Sequence, residues 1–452
     1  MLIKLNTLYF LNQNWQIQFC HQATLTIKYQ SFIMTKRYCT PGMLQFGWTI
    51  LLLLYCISVS ANPPVSNHPS GDKTKWVGTW GTALLAIASK DMPPKPGIAH
   101  HVLRQIVCVS IGGDTLRLKF SNKFGNSPLV IKSVQIALAK DSSVIETSTA
   151  ALLTFNGKQE VTLQPGTEIY SDPQSFGLKP RSRIAVTISF GEVPSILTGH
   201  GASRTTSYLF AGNAAKTGET YEDVIRMDHW YIIAGIEVAA KNNTGSVVVF
   251  GDSIADGRGS GTNKQNRWPD ILSENLLKDP ATSHVGVINM GIGGNAILKG
   301  GLGPTGLMRF EHDVLDQQGV KWLIVAEGVN DLGGAPDSLA ADDIAQHLIA
   351  AYQQFIDLAH AKGIKVYGAT IMPFKKSFYY ESYRNSARNK VNEWIRHSNR
   401  FDAVIDLDLM MRDPNDKDVL KYEVQAGAND FLHPNELGYR LIGDGISLSL
   451  FK

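Results

Sequence analysis

Ser246-Val-Val-Val-Phe-Gly-Asp-Ser-Ile254 is the stretch on which the reading of this chain turns. Four consecutive residues of strong β preference, Val247 to Phe250, run into Gly251-Asp252-Ser253. That reads as a buried strand stopping at a tight turn that carries a hydroxyl. Parallel strands of an open α/β sheet present their carboxyl ends to a shared crevice, and a small residue such as Gly251 lets the chain turn there without a side-chain clash. Such a strand end suits a nucleophile, provided that Ser253 has partners.

Toward the C-terminus the pattern continues as strand, helix, strand. Apolar strands are legible at residues 285–290, 322–326, 366–371 and 403–407, with helical stretches at 340–362, 383–399 and 434–450. Five strands with helical crossovers predict a parallel, doubly wound α/β sheet. Toward the N-terminus, from Trp76, short alternating runs are separated by turns: 105–111, 115–120, 129–139, 150–155, 159–163, 182–190 and 230–240. Regularly spaced short strands predict an antiparallel, all-β sandwich of jelly-roll type. Lys241-Asn-Asn-Thr-Gly245 reads as a hinge, giving a sandwich domain over 76–244 and an α/β domain over 245–452.

The 452 residues are 44% hydrophobic and 18% charged, ordinary globular composition and too long for one core, so two domains are expected. Trp48-Thr-Ile-Leu-Leu-Leu-Leu-Tyr-Cys-Ile-Ser-Val-Ser-Ala61 is a short apolar run ending in small residues, with Lys36 and Arg37 upstream. It reads as a secretory signal peptide cleaved after about Ala61. A run of about fourteen residues falls short of the roughly twenty needed to span a bilayer, so no stable membrane anchor is expected. A lipid anchor on Cys56 is disfavoured by Tyr55, where small residues normally stand. Met34 would open a conventional signal peptide, and residues 1–33 are read as an upstream extension. Residues 62–75, rich in Pro, Ser, Asn and Gly, read as a linker.

Export changes the charge argument. The segment 1–61 holds Lys4, Lys28, Lys36 and Arg37 and no acidic residue, so its removal takes the formal charge from +3 to −1. A nearly neutral chain offers no basic face to nucleic acid. Cys20, Cys39 and Cys56 leave with it, so Cys108 stands alone and no disulfide is expected within the mature chain.

A lone Gly-Asp-Ser after a strand usually just makes a turn. The next strand, however, ends in Asn289-Met-Gly-Ile-Gly-Gly294-Asn295. That cluster is either a loop needing positive φ or an unobstructed Gly294 N–H offered to an anion. The third strand ends in Glu327-Gly-Val-Asn-Asp331, where Asn330 is a turn residue or a side-chain amide aimed at the site. Asp430-Phe-Leu-His-Pro434 puts a carboxylate three residues before an imidazole at the start of the last helix. Alone, His433 is as well read as a structural residue. The bland readings together need four coincidences at one sheet edge, and the joint reading gains accordingly.

These blocks, Gly251-Asp-Ser-Ile254, residues 289–294, Gly328-Val-Asn-Asp331 and Asp430-Phe-Leu-His433, resemble the four blocks of the SGNH (GDSL) hydrolase family, in the family's order and over roughly residues 245–452. The resemblance implies a five-stranded, flavodoxin-like parallel sheet. It also implies Ser253 as nucleophile, His433 as general base and then acid, and Asp430 as the group orienting His433. The Ser253 and Gly294 N–H groups and the Asn330 side chain become the oxyanion donors. Residues 76–240 are similar to the β-sandwich that precedes this domain in a subset of secreted members. Departures are small: Ile254 follows the serine, and Ala255 stands where threonine is frequent.

The implied activity is a secreted or periplasmic serine esterase working through an acyl-enzyme without cofactor or metal. The finer reading is a carbohydrate O-acetyl esterase with an acetylated glycan as partner, resting on export and on the sandwich. The alternatives are a lipase or lysophospholipase and, from another class, a non-catalytic glycan-binding protein. No oligomeric state is read. Asp252, Asp256 and Asp331 are assigned to turn backbone, and Trp268 to packing at a helix start. The pair His100-His101 lacks a metal-ligand pattern. Residues 200–208 are read as ordinary polar loop, with reach over the active site as the other reading.

Overall fold

The computed structural model describes residues 75–210, 224–241 and 243–452. The signal peptide read on 1–61, the linker on 62–75 apart from Lys75, and Cys20, Cys39 and Cys56 lie outside the described residues. The described residues lie in one compact unit.

Five parallel strands carry the C-terminal half: β1 (Gly245–Gly251), β2 (Val285–Gly291), β3 (Val320–Ala326), β4 (Lys365–Ala369) and β5 (Ala403–Ile405), ordered β2-β1-β3-β4-β5. All seven residues of β1 are buried, as expected of a strand covered on both faces, which is why it reads as an unbroken apolar run. The long helices are α1 (Trp268–Lys278), α2 (Ser338–Ala361), α3 (Ser382–His397) and α4 (Glu436–Gly445). In α2 the buried residues Ala341, Ala345, Leu348, Tyr352, Phe355, Ile356 and Ala359 form one stripe at helical spacing. Phe355 stacks on Phe310 with ring centroids 4.2 Å apart, and both meet Phe250 of β1 edge-on.

The strand order decides where a site can form. Gly251 is level with Gly291 of β2 and Ala326 of β3, so the loops after these strands leave at one edge. The chain moves to β2 on one side of β1 and returns to β3 on the other. That makes a topological switch point, outside which ligands bind in open α/β sheets.

The N-terminal half is antiparallel. One sheet orders Lys75–Gly81, Ile233–Ala240, Gly113–Ser121 and Glu168–Tyr170, with Gln174–Leu178 also on Gly113–Ser121. The other centres on Val102–Cys108, Arg183–Phe190 and Leu129–Ala139. Leu116, Leu118, Phe120 and Val238 of the first share a core with Leu103, Val134, Ile136 and Val186 of the second, which makes a sandwich. The single strand expected over 230–240 is divided. Ile232 has φ 58°, and the chain there leaves a small sheet, where Trp230–Tyr231 pairs with Thr198–His200, for the five-stranded one. A positive φ is an outlier for a β-branched residue and leaves no mark on an alternation pattern.

The two halves share a bonded interface. Val287 of β2 donates its N–H to Ser110 Oγ at 2.9 Å, and Gly78 donates to the Gln318 carbonyl at 3.0 Å. Arg181 pairs with Asp270 and Glu274 of α1, and Glu168 with His312. Burial alone would depress His312, but the carboxylates of Asp313 and Glu168 outweigh it and raise it to about 9, so the pair is charged at neutral pH. This docking brings the loop after Thr198–His200 to the carboxyl edge of the parallel sheet.

Candidate active site

Ser253 opens a single helical turn, Ser253–Asp256, immediately beyond β1. Asp252 caps it, accepting from the Ile254 N–H at 2.9 Å. A Cβ on Gly251 would lie 2.6 Å from the Ala326 carbonyl oxygen and 2.7 Å from Ala255 Cβ, so the turn requires glycine for space. The result holds the Ser253 hydroxyl at the mouth of the sheet.

His433 precedes α4, whose first turn Asn435 caps by accepting from the Gly438 N–H at 3.0 Å. Its Nδ1 lies 3.0 Å from Asp430 Oδ2 and 3.1 Å from Oδ1, and Asp430 also accepts the Leu432 and His433 N–H groups. A nitrogen facing a carboxylate carries the proton, which leaves Nε2 as the acceptor. Nε2 lies 3.1 Å from Ser253 Oγ, so the hydroxyl donates to the imidazole. Burial would raise the Asp430 carboxyl, but the charge and hydrogen bonds of His433 hold it below its ordinary value. Burial lowers His433 below 6.5, Asp430 opposes this, and the positive charges of Arg258 and Arg204 add to the lowering.

Gly294 adopts φ 72°, the left-handed region that favours glycine. Among the described residues neither its N–H nor that of Ser253 has an acceptor. Asn330 stands on the turn Val329–Gly333 after β3; its amide donates to the Asn295 carbonyl at 2.7 Å and its Oδ1 accepts from Tyr379 at 2.8 Å. These two bonds fix the orientation of the amide. Ser253, Gly294, Asn330 and His433 all line one cavity of about 310 Å³, with Asp430 behind His433.

The three aspartates assigned to turn backbone do bind it. Asp331 accepts from the Ile297 and Leu298 N–H groups, and Asp256 from that of Gly293 at 2.9 Å. Asp256 also meets His200 Nε2 at 2.9 Å, and both side chains are buried. A sandwich residue therefore braces the aspartate that holds the Gly293-Gly294 loop. Gly201, Ala202 and Arg204 follow His200 along the cavity wall, so the loop does reach the site. Trp268 is buried at the start of α1. Among the described residues no group of three His, Cys, Asp or Glu side chains could hold a metal.

Sequence reasoning missed Tyr379, the His200–Asp256 contact and Arg309. Arg309 is buried and donates to the Gly251 carbonyl at 2.9 Å, the Met290 carbonyl at 2.7 Å and Asn295 Oδ1 at 2.8 Å, while pairing with Glu327 and Asp313. Its rigid fork of donors suits it to tie the ends of β1 and β2 to the residue after β3. The available signal was an arginine inside the otherwise uncharged turn Gly306–Phe310.

Residues 249–441 match the family described as GDSL-like Lipase/Acylhydrolase. No curated protein matches the chain. Among solved structures, a member of the lipolytic protein G-D-S-L family from Veillonella parvula is 20% identical, covering 45% of this chain and 96% of its own, with TM-score 0.33. A GDSL-like lipase from Bacteroides thetaiotaomicron is 18% identical over 45% of this chain and 86% of its own, at TM-score 0.32. An acetyl xylan esterase is 22% identical over 44% and 96%, at TM-score 0.33. Residues 249–441, in the C-terminal α/β half, thus form a GDSL-like lipase/acylhydrolase domain of the SGNH hydrolase type.

Proposed function

We propose that the protein is an exported serine esterase that cleaves carboxylic esters through an acyl-enzyme on Ser253, and that its substrates are O-acetylated carbohydrates. The observation that carries the esterase reading is the hydrogen-bonded run Ser253–His433–Asp430 at a cavity that also receives two unpaired N–H groups and a fixed amide. Export rests on the apolar run at residues 48–61. The carbohydrate reading is supported by Phe378, which lines the cavity while 73% exposed and offers a sugar ring an aromatic face.

In this mechanism Ser253 Oγ attacks the ester carbonyl carbon as its proton passes to His433 Nε2. Asp430 keeps Nδ1 protonated and stabilises the imidazolium. The oxygen that gains charge accepts from the Ser253 N–H, the Gly294 N–H and the second Nδ2 hydrogen of Asn330. His433 then protonates the leaving alcohol, and water, deprotonated by the same nitrogen, releases the acid.

His433 serves as base only when neutral. Because its pKa is lowered, protonation should set in only as pH falls below the usual histidine value of 6.5. The acid limb of kcat/KM is therefore expected to have its midpoint below 6.5, with a plateau from there to pH 8. A midpoint above 7 in the pH profile of 4-nitrophenyl acetate hydrolysis would contradict the role given to His433.

Acyl preference is read from a series of 4-nitrophenyl esters. kcat/KM is expected to fall steadily from acetate to octanoate. A rise along the series would overturn the acetyl reading and favour a lipase or lysophospholipase.

A further inference from the structure

Two arginines face the cavity without a carboxylate partner. Arg204, on the sandwich loop after His200, and Arg258, just beyond the serine turn, both line it, and among the described residues neither makes an ion pair. The Nε of Arg204 is buried and has no hydrogen-bond partner. Arg204 also holds φ 52°, so the backbone is kept in a disfavoured conformation where this side chain meets the cavity. Arg258 is exposed, its N–H bonded to the Ser253 carbonyl at 2.9 Å.

Three buried arginines of this chain are matched to carboxylates. Arg267 pairs with Asp270, Arg309 with Asp313 and Glu327, and Arg388 with Asp408 and Asp418. A guanidinium with an orphaned buried donor is costly to keep unless something supplies the acceptor. The acids at the cavity do not serve. Asp256 is taken by His200 and the Gly293 N–H, and Asp91 sits beside a third cation, Lys90. From these positions the charges of Arg204 and Arg258 add to the lowering of His433 that burial causes.

We propose that Arg204 and Arg258 form an anion subsite for a carboxylate on the sugar that carries the ester, so that the substrate class is an O-acetylated acidic glycan. This rests on the carbohydrate esterase reading. An acetyl group has no charge to offer, so the anion belongs to the alcohol portion. A planar guanidinium matches a carboxylate in a paired, directional way that neutral hydroxyls cannot reproduce. Phe378 at the same cavity provides the face on which the ring of such a sugar stacks.

The test uses the full chain and a matched pair of probes, mono-O-acetyl glucuronate and its uncharged amide, with acetate release as readout. kcat/KM is expected to be roughly tenfold or more higher on the acid, chiefly through KM, from charge-assisted hydrogen bonds. The gap is expected to narrow as salt rises. Arg204→Gln and Arg258→Gln should each shrink the acid-to-amide ratio, and the double variant should bring it near one. Arg258 is exposed, so its variant reads the subsite even if Arg204→Gln fails to fold. A wild-type ratio near one, or a ratio indifferent to both substitutions, overturns the proposal. So does faster, arginine-dependent cleavage of a lysophosphatidate, which would assign the cations to a lipid phosphate.

Failure of the esterase reading is separable. Glucuronate binding to Ser253→Ala, followed by calorimetry, needs no turnover. It should weaken roughly tenfold when Arg258→Gln is added, and unchanged binding would overturn the subsite whatever the catalytic outcome.

Discussion

Ser253→Ala is expected to lower kcat on 4-nitrophenyl acetate by roughly four to six orders of magnitude while leaving the fold intact. The Ser253 hydroxyl makes one side-chain hydrogen bond, to His433 Nε2, and its removal leaves neither a large cavity nor an unpaired charge. The cap on the serine turn belongs to Asp252, not to Ser253, so the turn persists. Without the oxygen there is no acyl-enzyme, and only weak catalysis by water in a preorganised site remains. Rapid-quench rates on wild type and variant, with thermal melts to check folding, measure this. A variant retaining more than about one per cent of the wild-type kcat would mean that another group starts the reaction.

For Asn330→Ala the expected loss is roughly a hundred- to a thousandfold in kcat, with KM changed less than about threefold. The asymmetry follows from when the amide acts: it meets charge only as the carbonyl oxygen becomes an oxyanion. The donor is preorganised at both ends, by the Asn295 carbonyl and the Tyr379 hydroxyl, so little reorganisation is needed in the transition state. Burial raises the Tyr379 pKa, which keeps it a hydroxyl donor over the working range. Tyr379→Phe should therefore lose activity in the same parameter, kcat, but by a smaller factor, because the amide survives and only its aim is loosened. Steady-state kinetics on both variants decides the point. A loss confined to KM would make Asn330 a ground-state binder and remove it from the oxyanion group.

Local pattern carried much of the architecture. The run Val247 to Phe250 lies within β1, and the alternating run over 129–139 coincides with the strand Leu129–Ala139. Errors gathered at ends, where tertiary contacts choose among near-equal backbones. The strand read over 403–407 stops at Ile405 because Asp406 caps a new helical turn, accepting from the Leu409 N–H at 3.0 Å. The helix read from residue 434 starts at Glu436, since Asn435 takes the cap. The break at Ile232 had no signal, because a sheet change depends on which strands are available on either side.

For the site, the turn chemistry of Gly251-Asp-Ser, the glycine cluster at 294, the amide at 330 and the carboxylate-imidazole spacing at 430–433 are all short-range features. The sequence displays them, and their convergence follows from parallel strands ending at a common edge. The sequence alone thus determined the sheet, its edge and the chemical groups brought there. Only the tertiary structure decided what surrounds them: His200 against Asp256, Tyr379 against Asn330, Arg309 beneath three strand ends, and Arg204 reaching the cavity from the sandwich. These contacts join residues 49 to 58 positions apart or distant elements, and they arise from packing summed over the whole chain. Periodicity records only what a residue does for its own helix or strand, so such pairings leave no trace in it.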